Sequence, residues 1–128
     1  MGFELDEQSA CMLSPRMIVF DLEFVGDLTQ GIHNCHLWSI GAVHIATRNK
    51  FKVIMDPEVR PFPPTHDKCI PIDEDYLAKN GAVSLREGLR MFFRWMGCHN
   101  IAIAHNNFKA DKLVLEQACR RAGVRCPL

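Results

Sequence analysis

The chain alternates short apolar runs with polar breaks, and the period of each run predicts its element. Residues 17–23 (MIVFDLE) form an apolar, β-branched run of strand length that ends in two carboxylates. A polar loop rich in Gly, Asn and His spans 26–36, and Leu37–Ala46 (LWSIGAVHIA) reads as a second strand. Residues 47–50 then predict a turn, so that 51–55 returns as the third strand of a hairpin, antiparallel because the connection is short. Five prolines make 56–71 a stiff, mostly irregular connection.

The second half of the chain changes to helical spacing. Residues 72–80 predict a short helix closed by Asn80-Gly81. Ser84 opens a longer one: Glu87 lies three residues on, as a capping box requires, and Leu85, Leu89, Phe92, Phe93 and Met96 recur as one apolar face that reads as core. Ile101–Ala104 is a short apolar strand, buried on both faces if parallel to its neighbour. Asn106 or Asn107 opens a last helix running to about Arg121 and stopped by Gly123. A three-strand meander, a crossover helix and a further strand leading into a helix predict an α/β domain: a mixed sheet with helices packed on it. Residues 1–15 lack periodicity and end at Ser14-Pro15, so they read as an extension on a single domain spanning 16–128.

Composition narrows the function classes. With 128 residues, 48% of them hydrophobic and 23% charged, the chain can bury a core and is not a disordered tail. Lys plus Arg and Asp plus Glu balance at 15 each, so no global basic field attracts a polyanion; such a partner must be held by a local patch or by metal ions. No apolar run approaches the roughly 20 residues that span a bilayer, and the start MGFELDEQ is acidic where a signal peptide is basic. An intracellular, membrane-free protein is expected. Six cysteines at 11, 35, 69, 98, 119 and 126, with no CxxC pair, read as reduced thiols. The His33-Asn34-Cys35-His36 cluster has zinc-type ligands, but its spacing is too tight and no second pair completes a tetrahedral site.

Chemistry gathers on three carboxylates. In the first strand Val19, Asp21 and Glu23 point to one face and Ile18, Phe20 and Leu22 to the other. Two acids therefore stand one pleat repeat apart on what should be a central strand, where unpaired charges are costly. Hard divalent ions with oxygen ligands, Mg²⁺ or Mn²⁺, answer that need; lysines on a surface strand are the plainer alternative. Asp111 falls within the apolar stripe of Phe108, Val114, Leu115 and Ala118, so it points towards the core and wants a partner, unless it is an ordinary mid-helix Asp beside Lys112. If strand 101–104 lies parallel to 17–23, the helix bearing Asp111 starts at the strand edge where α/β sheets place their ligands. Lys109, Lys112, Arg120, Arg121 and Arg125 make this last helix locally basic, a solvated face or a contact for a substrate backbone.

Val19-Phe20-Asp21-Leu22-Glu23, then Ser39-Ile40-Gly41-Ala42-Val43, then Ala104-His105-Asn106 followed by Asp111 with Val114-Leu115, together resemble the first two motifs of the DnaQ-like (DEDD) 3′-5′ exonucleases. The resemblance covers residues 17 to about 125, and the spacing from His105 to Asp111 looks like that of the Trex-like branch. It implies a ribonuclease-H-like fold, with Asp21, Glu23 and Asp111 as metal-binding catalytic residues for two Mg²⁺ or Mn²⁺ ions. Among the implied substrate-binding residues, Phe24 would lie near the terminal nucleotide of a DNA or RNA 3′ end, and His105 and Asn106 would shape the strand-to-helix turn beside the site. The implied activity is two-metal hydrolysis of phosphodiester bonds from the 3′ end.

The family's third motif, a His or Tyr base followed by a fourth acid, has no counterpart before Cys126-Pro127-Leu128, where the next strand would start. A C-terminally truncated domain, weak or inactive by itself, is therefore expected. Its apolar sheet edge would then be exposed; alternatively a second copy or a partner chain covers that edge and completes the site. The alternative is a non-catalytic nucleic-acid-binding or interaction module that keeps the exonuclease fold.

Overall fold

The computed structural model describes residues 17–63, 72–97, 101–104 and 108–128, with side chains for all of these except 101–104, 108 and 109; the extension expected at 1–15 lies outside them. Four strands, β1 (Met17–Val25), β2 (His36–His44), β3 (Lys50–Ile54) and β4 (Ile101–Ala104), form one sheet in the order β3-β2-β1-β4. β1 pairs antiparallel with β2 and parallel with β4, and β2 pairs antiparallel with β3. The helices are α1 (Glu74–Lys79), α2 (Leu85–Met96) and α3 (Phe108–Ala122).

The period-2 alternation of β1 fixes which face is covered. Ile18, Phe20 and Leu22 are buried, and they share one cluster with Leu85, Leu89, Phe92 and Met96 of α2 and Val114, Leu115 and Ala118 of α3. Both long helices thus lie on one side of the sheet. Phe92 sits at the centre, its ring 5.4–6.4 Å from those of Phe20, Phe51, Phe93 and Trp95. His44 is buried at the end of β2 and stacks on Trp95 at 3.9 Å between ring centroids.

Local chemistry sets the helix boundaries. Ser84 caps α2, its hydroxyl accepting from the Glu87 N–H at 3.1 Å, and Glu58 adds a second cap by accepting from the Leu85 N–H at 2.9 Å. The first helix is shorter than the expected 72–80, because Asp73 caps it and accepts from the Tyr76 N–H at 2.8 Å. Ile72 is left outside it, to pack with Val25, Trp38 and Leu77 in a second cluster. Gly88 lets α2 approach the sheet: a Cβ there would lie 2.3 Å from the Met55 side chain.

A β-bulge connects the fold to the candidate site. Glu23 pairs with Ser39 and Phe24 with Leu37, which leaves Trp38 as the extra residue. Trp38 turns to the side away from α2 and α3, where its ring meets Tyr76 edge-on at 5.7 Å. The second cluster therefore covers the carboxyl end of β1 on that side, and among the described residues no element covers the outer part of the face.

Candidate functional site

Asp21 and Glu23 project from that second face of an interior strand, and both are half-buried. Glu23 stands beside the Trp38 bulge, in the row Glu23, Ser39, Ile54. Asp21 lies one pleat repeat further out, in the row Asp21, Gly41, Lys52, and the next row is Val19, Val43, Lys50. These two outer rows line an open cleft of about 530 Å³. Its floor at Gly41 is bare: a Cβ added there would meet nothing within 4 Å.

Asp111 is placed differently. It is buried, 6% exposed, on the face of α3 that carries Val114, Leu115 and Ala118. Among the described residues no group of three or more His, Cys, Asp or Glu side chains is gathered closely enough to hold a metal ion. The structure thus brings Asp21 and Glu23 onto one face and does not bring Asp111 into a three-carboxylate cluster with them. Phe24, expected beside a terminal nucleotide, pairs with Leu37 and packs, partly buried, against the main core. His105 and Asn106 lie outside the described residues.

Among the described basic residues of α3, Arg121 is the one tied to another part of the fold. Arg121 reaches over the loop before β2: its guanidinium donates to the His33 carbonyl at 2.6 Å and to the Cys35 carbonyl, and stands 3.0 Å from His36 Nδ1. One cation therefore organises the segment whose His and Cys residues resembled zinc ligands. Burial, with Arg121 beside it, pulls the His36 pKa below its usual value. Arg120 donates to Gln117 at 3.1 Å, and Lys112 lies 3.9 Å from Glu116.

No protein-family model matches this chain, and no curated protein matches it.

Sequence reasoning misses Lys50 and Lys52 as residues of the site, because residues 47–50 read as the turn before β3. The signal is present in the alternation of Lys50-Phe51-Lys52, which puts both ammonium groups on one face and Phe51 on the other. Both lysines are exposed.

The thiols packed behind the sheet give a pH dependence. Burial, reinforced by the neighbouring Cys126, pushes the Cys119 thiol from an ordinary 9.0 up to about 12. Burial also raises Cys35, with Arg121 opposing and Asp27 adding to it. Between about pH 9 and 12 the folded chain keeps a proton on Cys119 that the unfolded chain has released, so this contribution to stability is present below pH 9 and falls as pH rises through that window. Iodoacetamide at pH 8 is expected to modify Cys126 well before Cys119 in the folded protein, read by peptide mass; equal rates would mean that α3 is not packed on the sheet.

Proposed function

We propose that this chain is a metal-dependent 3′-5′ exonuclease domain of the DnaQ-like (DEDD) type on a ribonuclease-H-like fold, acting on nucleic-acid 3′ ends. The observation that carries the reading is the pair Asp21 and Glu23, one pleat repeat apart on the side of an interior strand away from α2 and α3, with an open cleft at Asp21. The strand arrangement supports it: an antiparallel meander whose first strand has β4 parallel on its other side, with a helix following β4.

The donor set fits a hard divalent cation. Two carboxylates on one face offer oxygen ligands, and Mg²⁺ is ordinarily held by one or two carboxylates, with waters and substrate phosphates completing its shell. Asp21 and Glu23 would hold it, with Asp111 as the expected further ligand. When bound, such ions lower the pKa of a water and stabilise the leaving 3′ oxygen. The protein's own part is positional. The sheet fixes the two carboxylates, and the Val25, Trp38, Ile72, Leu77 cluster walls the end of the face beside Glu23.

One observation favours a second reading, a nucleic-acid-binding module without catalysis: among the described residues Asp21, Glu23 and Asp111 are not gathered closely enough to hold a metal ion. A single experiment separates the two. With a labelled single-stranded oligonucleotide and Mn²⁺, the exonuclease reading expects nucleotides to leave from the 3′ end only, the release to stop in EDTA, and Mn²⁺ binding to register by calorimetry in the absence of substrate. Oligonucleotide binding with no release in any divalent ion selects the second reading, and neither binding nor release overturns both.

A further inference from the structure

The outer part of the open face carries an arrangement that the carboxylate pair alone does not explain. Asp21 and Lys52 occupy one row across three strands, with Gly41 between them. Neighbouring strands lie about 4.8 Å apart, so the two backbones are about 10 Å apart with no side chain in between. The side chains of Asp21, Lys50 and Lys52 make no ion pair or hydrogen bond among the described residues. Opposite charges thus face one cleft without touching. The adjacent row supplies an apolar floor of Val19 and Val43 and ends in Lys50.

Such a surface matches one polymer chemistry. A phosphodiester chain presents repeated anions for the two ammonium groups, and its sugars and bases present apolar area for the valines. At about 530 Å³ the cleft is in the range that holds a small ligand, such as the end of one strand. Lysines also occur on edge strands as guards against strand pairing. That role needs only charge anywhere along β3, whereas here both lysines share the face of Asp21 and look across an empty glycine.

We propose that Lys50 and Lys52 hold the phosphodiester backbone of a single nucleic-acid strand in this cleft, over the bare floor at Gly41 and beside Asp21. The inference rests on the exonuclease reading of the same face and names the path that the strand takes to it, from the β3 edge across β2 to β1.

The test is fluorescence anisotropy of a labelled oligothymidylate in EDTA, where no hydrolysis intervenes, over a series of salt concentrations. The double variant Lys50→Glu/Lys52→Glu is expected to bind at least about tenfold more weakly, with the salt slope reduced by about 1.4, or about 0.7 for each phosphate that is no longer neutralised. Lys79→Glu, an exposed charge at the end of α1, is the matched control and should change affinity less than about twofold. Gly41→Leu should weaken binding comparably while melting like the parent, because a side chain there has open space. A double reversal no worse than Lys79→Glu overturns the inference. So does a folded Gly41→Leu that binds like the parent, or displacement of the probe by polyglutamate as readily as by unlabelled oligothymidylate. If the lysines prove irrelevant while metal-dependent 3′ release persists, this inference alone fails. If binding depends on the lysines and no divalent ion supports release, the exonuclease reading alone fails.

Discussion

Phe92→Ala is expected to lower the stability of the domain by about 3–5 kcal/mol, the range for removing a buried aromatic ring. Phe92 is 0% exposed and is the one side chain of α2 whose ring meets the rings of β1, β3 and its own helix together, at Phe20, Phe51, Phe93 and Trp95. Deleting it leaves a void that Gly88, one turn earlier, cannot fill, and the neighbouring rings are left without a packing partner on one side. Whole domains hold only about 5–15 kcal/mol in total, so this single change removes a large share. The melting temperature should fall by roughly 10–20 °C. Arg90→Ala, on the exposed side of the same helix, should stay within about 0.5 kcal/mol of the parent. A melt of Phe92→Ala within a few degrees of the parent would mean that α2 does not pack on the sheet in this way.

The parts of this fold that are legible in the sequence are those with a local cause. The alternation in β1 tells the covered face from the open one, since each side chain's direction depends only on its place in the pleat. Ser84 announces the start of α2 because an N-cap is satisfied within three residues. What escapes a sequence reading depends on distant partners. β1 runs on to Val25 because Phe24 and Val25 find Leu37 and His36 across a bulge, and no period in either strand announces the extra residue at Trp38. β2 stops at His44 although Ile45 and Ala46 are apolar, because the turn closes there: the Arg48 N–H donates to the His44 carbonyl at 2.8 Å, with Arg48 at φ 65°.

The site divides along the same line. That Asp21 and Glu23 share a face follows from strand geometry, and that Asp111 points inward follows from the apolar stripe around it. Which side of the sheet receives that stripe is decided by how α3 packs, through Val114, Leu115, Ala118 and Cys119 in the main core and the reach of Arg121 to the loop before β2. Those interactions join residues up to 88 positions apart. No local pattern encodes them, and the same holds for the rows that set Lys52 opposite Asp21.

Asp21→Ala is expected to abolish metal-dependent 3′ release, by at least about 10³-fold, while leaving the fold intact. Losing a side chain that merely orients a metal ligand costs 10–100-fold, and losing the ligand itself should cost more. The stability side of the prediction follows from the surroundings of Asp21, which is half-buried on an open face with no ion pair or hydrogen bond among the described residues. Its removal breaks nothing and relieves the repulsion from Glu23, so the melting temperature should be unchanged or slightly raised. Asp111→Asn supplies the contrast. As a metal ligand, Asp111 would lose activity as steeply as Asp21; as a purely structural acid in the helical layer, its replacement would shift the melting temperature and leave release within a few-fold. Measured together, activity and melting place each carboxylate by the pair of effects it produces, because a ligand on an open face and a buried acid of the core cannot give the same pair.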